Sequence, residues 1–205
     1  MSAPDIFEGL PRGHYGAILI DPPWAFRTFG GDNATPHRSA EDHYKTMDFD
    51  ALKAMPVGDL AAKNCALFMW VVGSHIDQAL ELGQAWGFKM TTDAFYWMKE
   101  RMFDAGRQMD FIDDDCAEPV ISMGYWTRKQ VEPCFLFKKG SPPRLSKGVR
   151  QVIVEPRREH SRKPDTINHR IEQLVAGPYL EIFGRTNRPG WDIWGNEAGR
   201  WSADA

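Results

Sequence analysis

Residues 18–24 read I-L-I-D-P-P-W, an aliphatic run that ends in an acid, two prolines and a tryptophan. Proline fixes φ, donates no hydrogen bond and holds the preceding residue extended. A strand that ends on Asp21, Pro22, Pro23 and Trp24 therefore carries a stiff hook whose carboxylate and free carbonyl oxygens accept hydrogen bonds. Sites in parallel α/β sheets lie beyond the carboxyl ends of strands. The hook is predicted to be such a site; the alternative is a turn that caps a buried strand, with Trp24 in the core.

The hook suits an amino group on a planar ring. Adenine has an exocyclic amine with two N–H donors, and Asp21 can accept one while the Pro22 carbonyl accepts the other. These contacts draw the nitrogen toward a tetrahedral geometry and stabilise the positive charge that develops as it attacks an electrophile. Trp24 is predicted to stack on the base. The four residues Asp21, Pro22, Pro23 and Trp24 are therefore the candidate catalytic group.

The rest of the chain alternates apolar runs with helical patterns, which predicts an α/β domain with a mainly parallel central sheet flanked by helices. One helix is predicted over 75–86, with Ser74 as its N-cap and Ile76, Leu80 and Leu82 facing inward. A second is predicted to open at Pro164-Asp165, with an apolar stripe of Ile167, Ile171, Leu174 and Val175. The predicted strands are Ala17–Ile20, Ala66–Val72, Ala94–Met98, Pro133–Phe137, Val152–Val154 and Tyr179–Phe183.

Composition narrows the class of protein. The chain has 205 residues, a net charge of −3 and three cysteines without a C-x-x-C pair, which favours one domain in a reducing compartment. No apolar run is long enough to span a membrane, and the six histidines form no tight cluster that would predict a metal site. The charge is uneven, because residues 138–170 carry ten Lys or Arg against three acids, and residues 101–118 carry six acids against two Arg.

The ordered motifs of this chain resemble the MT-A70 family of adenine N-methyltransferases. The resemblance begins with residues 18–24 and continues in H-Y-K-T-M (43–47), A-L-F-M-W-V-V (66–72), F-Y-W-M-K (95–99), G-Y-W-T-R-K-Q-V-E-P-C-F-L-F (124–137), R-E-H-S-R-K-P-D (158–165), L-E-I-F-G-R (180–185) and G-W-D-I-W-G-N-E (190–197). It implies one methyltransferase domain over residues 1–205. It also implies a Rossmann-like class I fold in a permuted order, with the catalytic motif ahead of the cofactor strand, and methyl transfer from S-adenosylmethionine to adenine.

The same resemblance implies a set of cofactor contacts. Asp21 and Lys163 are expected at the methionine end of S-adenosylmethionine, Arg185 and Asn187 at its ribose and methionine region, and Asn196 and Glu197 at its ribose or adenine. Asp5 and Ile6 are expected at the adenine. Three of these residues have a plainer alternative: Lys163 as a solvated charge, Arg185 as a surface ion pair and Asn196 as a turn cap.

A methyltransferase reaches a base only when the base is flipped out of a duplex or lies in a single strand. The basic segment suits phosphates and is expected to form a loop beside the site, with a solvated charged loop as the alternative. The candidate nucleic-acid contacts are Tyr44, Trp97, Lys99, Arg128, Lys129, Lys138, Lys139, Arg144 and Arg158. Segments 27–42 and 101–118 are candidate target contacts or lids.

The resemblance covers a catalytic core, which favours DNA and a cytoplasmic enzyme of bacterial or phage type. RNA is the second candidate substrate. An inactive nucleic-acid-binding partner subunit is a third possibility, and a homodimer or a partner subunit is plausible for a core of this size.

Overall fold

The computed structural model describes residues 5–24, 47–100, 126–158 and 162–202. The helices in these ranges are α1 (Phe49–Ala54), α2 (Val57–Leu60), α3 (Ile76–Ala85) and α4 (Thr166–Leu174), with a 3₁₀ turn at Gly73–His75. The strands are β1 (Tyr15–Ile20), β2 (Ala61–Trp70), β3 (Lys89–Glu100), β4 (Val131–Lys139), β5 (Val152–Pro156), β6 (Tyr179–Ile182), β7 (Thr186–Asn187), β8 (Trp191–Trp194) and β9 (Trp201–Ser202).

Seven strands form one sheet in the order β5-β3-β4-β2-β1-β6-β8, and β7 and β9 form a separate pair. Every strand of the large sheet runs parallel to its neighbours except β4, which is antiparallel to both β2 and β3. The prediction of a mainly parallel α/β sheet is confirmed, as is the Rossmann-like arrangement. Because β1 precedes β6 in the chain and pairs with it, the predicted permuted order has a structural counterpart.

The parallel strands define two edges of the sheet, named here the carboxyl edge and the amino edge. The carboxyl edge holds the last residues of β1, β2, β3, β5, β6 and β8 and the first residue of β4. The amino edge holds the first residues of those six strands and the last residue of β4. The last residue of β4, Lys139, therefore lies at the amino edge, at the opposite end of the strands from the carboxyl edge.

Strand β1 is buried on both faces, which explains its unbroken apolar sequence. Ile18 and Ile20 belong to one core cluster, which includes Leu52 of α1 and Leu82 of α3. Leu19 belongs to the other, which includes Ile167 and Ile171 of α4. Fully burying an aliphatic side chain contributes roughly 1.5–3 kcal/mol. These two layers hold β1 rigidly, so the residues that follow Ile20 leave the sheet at a fixed point.

The helix predictions are confirmed in place and partly wrong in detail. Helix α4 begins directly after Asp165 and buries Ile167 and Ile171 as predicted. Helix α3 begins at Ile76, and Ser74 gives it no cap because residues 73–75 form the 3₁₀ turn and the Ser74 hydroxyl contacts the His75 ring at 2.9 Å. Ile76 is 41% exposed instead of facing the core, since that turn rotates the first residue of the helix outward.

Candidate active site

The hook projects from the carboxyl edge immediately after β1. The Trp24 N–H donates to the Pro22 carbonyl at 2.8 Å, which folds the chain back in a tight turn, and the Met47 N–H donates to the Pro23 carbonyl at 3.3 Å. A carbonyl oxygen has two lone pairs, so Pro22 keeps one for a ligand. The Asp21 carboxylate is 32% exposed and therefore open to a ligand from the solvent side.

The two tryptophans predicted to meet the base are both buried. Trp24 is 4% exposed, and its ring lies 5.6 Å from the ring of His75. Trp97 is 3% exposed and donates its Nε1–H to the Glu155 carbonyl at 3.0 Å. Trp24 belongs to a core cluster and offers no open face to a base in this structure, so its stacking on the base stays a prediction. Trp97 likewise offers no open face to a base.

Four charged side chains of alternating sign lie in contact along the carboxyl edge, and we call them the charge chain: Asp21, Lys163, Glu132 and Lys99. Lys163 Nζ lies 2.8 Å from Asp21 Oδ2 and 3.5 Å from Glu132 Oε2. Glu132 Oε1 in turn accepts a hydrogen bond from Lys99 Nζ at 2.5 Å. The predicted proximity of Lys163 and Asp21 is present, and it links strands β1, β3 and β4 to the segment ahead of α4.

The contacts within the charge chain keep Lys163 and Glu132 ionised at neutral pH. Burial by itself lowers the pKa of Lys163, but the charges of Asp21 and Glu132 outweigh burial and raise the pKa above its usual value. Burial raises the pKa of Glu132, but Lys163 and Lys99 outweigh it and lower the pKa to about 2. Lys163 also lies over the Trp70 ring at 5.6 Å. The plainer alternative for Lys163, a solvated surface charge, is therefore wrong.

Sequence reasoning missed Glu132 and a second acid, Glu181. Glu181 lies on β6 opposite Leu19, and the buried Asn168 donates to its Oε2 at 3.3 Å. Burial raises the pKa of Glu181 to about 7, and the charge of Asp21 acts in the same direction. Each residue is a lone acid in an apolar strand, V-E-P-C and L-E-I-F, and that signal could have identified both, because acids are rarely buried without a partner.

Asp165 gathers three arginines behind the charge chain. Its carboxylate lies 2.6 Å from Arg158, 3.3 Å from Arg162 and 2.9 Å from Arg188. Burial raises the pKa of Asp165, but the arginines outweigh it and the net pKa is lowered. Arg158 also donates to the Lys163 carbonyl at 3.3 Å. Arg158 was predicted to contact nucleic acid. In the structure its contacts with Asp165 and with the Lys163 carbonyl hold the segment that positions Lys163.

The remaining predicted cofactor residues also lie at the carboxyl edge. Arg185 pairs with Glu197 at 2.7 Å and lies over the Trp201 ring at 5.9 Å, whereas the side chains of Asn187 and Asn196 are exposed.

At the N-terminal end of the described chain, Asp5 pairs with Arg12, which gives its carboxylate a partner within the protein. The Ile6 carbonyl accepts from the Trp194 indole at 3.1 Å, which places Asp5 and Ile6 beside the end of β8. The cofactor contacts of all these residues stay predictions.

The predicted nucleic-acid residues divide between the two edges. Lys99, Arg128 and Lys129 lie at or just before the carboxyl edge. The expectation that the basic segment forms a loop beside the site is wrong for Lys138, Lys139 and Arg144, which lie at or near the amino edge. Their positions follow from three contacts: Lys138 pairs with Ala66, Lys139 Nζ donates to the Gly58 carbonyl at 2.8 Å, and Arg144 bridges to Val175. The reason is the antiparallel direction of β4, which carries the chain away from the hook.

Tyr44 and segments 27–42 and 101–118 lie outside the described residues. Within the described ranges, no group of three or more His, Cys, Asp or Glu side chains is arranged to hold a metal ion. None of the helices in the described part of the chain is long and apolar enough to cross a bilayer.

The donor set at the carboxyl edge fits S-adenosylmethionine. The cofactor carries a sulfonium and an ammonium, for which Asp21 and Glu181 offer carboxyl groups. It also carries a carboxylate, for which Lys163 offers a cation. The Arg188 side chain adds a buried Nε that has no hydrogen-bond partner in the structure. Buried polar groups without partners are rare in folded proteins, so this arrangement is typical of a site that takes a polar ligand.

Comparison with known proteins agrees with this geometry. The chain is 32% identical to the type II methyltransferase M.MunI of a Mycoplasma species, over 94% of this chain and 82% of that protein. It is 28% identical to an N(6)-adenosine-methyltransferase MT-A70-like protein of Drosophila melanogaster and 26% identical to the N(6)-adenine-specific methyltransferase METTL4 of mouse. It spans 27% and 37% of those two proteins. The MT-A70 family profile matches residues 15–197, and the chain therefore belongs to the MT-A70 family of S-adenosylmethionine-dependent methyltransferases.

Proposed function

We propose that this enzyme methylates the exocyclic amino group of adenine in DNA. The observation that carries the proposal is the Asp21 carboxylate, held at the end of a rigid buried strand and 2.8 Å from Lys163. DNA is favoured because the chain covers 82% of a type II methyltransferase but 27% of an N(6)-adenosine-methyltransferase-like protein. A cytoplasmic enzyme of bacterial or phage type is part of the same proposal.

The hook binds and orients the amine. Asp21 Oδ accepts one amino hydrogen and the free lone pair of the Pro22 carbonyl accepts the other, which localises the nitrogen lone pair toward the electrophile. Bound S-adenosylmethionine supplies an activated methyl group on a sulfonium. As the nitrogen gains positive charge, the two acceptors stabilise it, and preorganised groups of this kind are worth about 10²–10³ in rate. The product ammonium is acidic and loses its proton without a dedicated base.

Lys163 has a double role in this proposal. Its ammonium pairs with the partly exposed Asp21 carboxylate at 2.8 Å, and it would also hold the carboxylate of the cofactor. Glu132 holds the same ammonium from the other side at 3.5 Å and keeps it beside the hook. The target adenine enters as a flipped base or from a single strand.

Two alternatives to this proposal are RNA methylation and a role as an inactive binding subunit. RNA remains the second candidate substrate, because several relatives are named N(6)-adenosine-methyltransferases. An inactive binding subunit has no need for a paired Asp21 and Lys163, so the intact charge chain favours an enzyme. We also propose a homodimer or a partner subunit that completes the nucleic-acid groove, which sedimentation of the protein with and without DNA will test.

The test is transfer of labelled methyl from S-adenosylmethionine to duplex DNA, single-stranded DNA and RNA of mixed sequence. We expect label in N(6)-methyladenine, with DNA preferred, and loss of label in Asp21→Asn while nucleic-acid affinity is retained. Preference for RNA would correct the substrate. Absence of label on all three polymers, with normal cofactor affinity, would overturn the proposal in favour of a binding subunit.

A further inference from the structure

Trp126 is the most exposed large hydrophobic residue in the part of the chain that the structure describes, and it lies just before β4, which begins at the carboxyl edge. It is 93% exposed, and it is the one exposed tryptophan, phenylalanine or tyrosine in the part of the chain that the structure describes. Leaving an indole in water forgoes the burial of a large apolar surface, and such residues are typical of interfaces. Its position raises the question of what covers it when the enzyme works.

Trp126 lies close to the charge chain. Lys129, three residues further on, has its pKa lowered by burial, and its charge interacts with those of Glu132, Lys99 and Lys163. Lys129 lies two residues before β4, which begins at the carboxyl edge, so the segment that carries Trp126 approaches the charge chain. Three residues span at most about 11 Å, so the indole is within reach of a nucleotide whose base is held by Asp21.

The chemistry around the indole fits a nucleic acid. Residues 126–131 read W-T-R-K-Q-V and contain two cations and no acid, and Thr127, Arg128 and Gln130 are exposed. An aromatic plane flanked by cations suits a base stacked beside its phosphates. The core of a protein–protein interface is depleted in charged residues, so these neighbours favour a polyanion over a protein partner.

We propose that Trp126 stacks on a base of the bound nucleic acid, and that it supplies the aromatic plane that the buried Trp24 and Trp97 do not offer. The proposal deepens the proposed function and rests on it. Because the side chain is almost fully exposed, it has no part in the core, and its substitution leaves the fold and the hook unchanged.

The experiment compares Trp126→Ala and Trp126→Phe with Leu145→Ala, a control at a 58% exposed apolar residue away from the carboxyl edge. Affinity is measured by fluorescence anisotropy with labelled mixed-sequence single-stranded and duplex DNA, without cofactor. Loss of one stacked base should weaken binding about tenfold, so we expect that change in Trp126→Ala. Trp126→Phe should retain most of the affinity, and Leu145→Ala all of it.

Intrinsic fluorescence supplies a readout that a structural role would not change. DNA should quench part of the tryptophan emission of the wild-type protein, and that part should be missing in Trp126→Phe. Unchanged affinity and unchanged quenching in the variants would overturn the proposal. Conversion of a dimer into a monomer by Trp126→Ala, with DNA affinity per subunit unaltered, would overturn it in favour of a protein interface.

The two proposals fail separately. Quenching and anisotropy report on Trp126 in the absence of turnover, whereas the label-transfer assay reports on the hook. If Asp21→Asn retained full turnover, the proposed function would fail. Stacking would still be supported if DNA quenched less tryptophan emission in Trp126→Phe than in the wild-type protein. If Trp126→Ala bound DNA normally while Asp21→Asn lost turnover, stacking alone would fail.

Discussion

The two edges of the sheet both carry lysines and arginines, but they use them differently. At the carboxyl edge, Lys163 is 19% exposed and contacts two carboxylates from different strands. At the amino edge, Lys139 donates to a backbone carbonyl. A cation paired with two partly exposed carboxylates suits a site that binds a polar ligand, whereas a cation bonded to a carbonyl holds a chain segment in place. We therefore expect lysine to serve the chemistry at one edge and the stability of the fold at the other.

The largest effect is expected when the charge chain loses its central member. In Lys163→Met, Asp21 and Glu132 lose their shared cation and repel each other, so turnover should fall at least about 100-fold. The protein should also melt at a lower temperature, because removing one partner of a buried pair leaves an uncompensated charge. Label transfer and thermal unfolding measure the two quantities.

Lys139→Met is the matched control at the amino edge. It removes one hydrogen bond from an ammonium to the Gly58 carbonyl, which contributes roughly 1.5–3 kcal/mol to stability. The bond lies away from the site, so turnover should stay within about twofold of wild type. Equal losses of turnover in the two variants would break the distinction between the edges.

A smaller effect is expected from Glu132, which acts through Lys163. In Glu132→Gln the Lys163 ammonium should move closer to Asp21. Both turnover and affinity for S-adenosylhomocysteine should therefore fall about tenfold. Calorimetry with that product gives the affinity without any turnover. Glu81→Gln is the control, because Glu81 pairs with Lys53 at the surface, where ion pairs contribute little. Normal product affinity in Glu132→Gln would remove Glu132 from the positioning of Lys163.

A third test compares one arginine from each region. Arg128→Glu changes a charge beside the carboxyl edge and should weaken DNA binding and reduce the slope of log affinity against log salt by about one. Arg144→Glu changes a charge held near the amino edge by the bridge to Val175 and should leave the slope as it is. Salt titrations by anisotropy decide the matter; a larger change in slope for Arg144→Glu would return the basic segment to the interface.

The sequence predicted the parts of the site that depend on local order. An apolar run that stops at Asp21 predicts a strand and its exit point, and Ile167 and Ile171 predict the helix behind it. It did not predict which side chains meet across strands, because the contact of Lys163 with Glu132 depends on where β4 inserts in the sheet. The antiparallel direction of β4 also moved Lys138 to the far edge, and no local pattern encodes that direction.

The sequence also did not predict which aromatic residues are buried and which are exposed. Trp24 was predicted to stack on a base because it follows the hook, but the turn closed by the Pro22 carbonyl buries it. Trp126 lies in a polar stretch, and its exposure in the fold makes it the candidate for stacking. A tryptophan suits a core and an interface equally well, so only the fold separates the two roles.

The smallest expected effect concerns stability and separates Glu181 from the charge chain. Burial raises the pKa of Glu181 to about 7, against a usual value of 4.5, so the folded protein retains a proton there that the unfolded chain releases. The stability that this proton contributes is fully present below about pH 4.5 and is lost as the pH rises through about 7. The loss amounts to at most about 3 kcal/mol.

Glu181→Gln cannot ionise, and its amide oxygen can still accept from Asn168. Its melting temperature should therefore rise relative to wild type by several degrees between pH 5 and pH 8, on the usual scale of about 2–4 °C per kcal/mol. Asn168→Ala leaves the carboxyl group in place and should retain the dependence on pH. A difference between Glu181→Gln and wild type that is constant over this range would show that Glu181 is ionised in the folded protein, as Glu132 is.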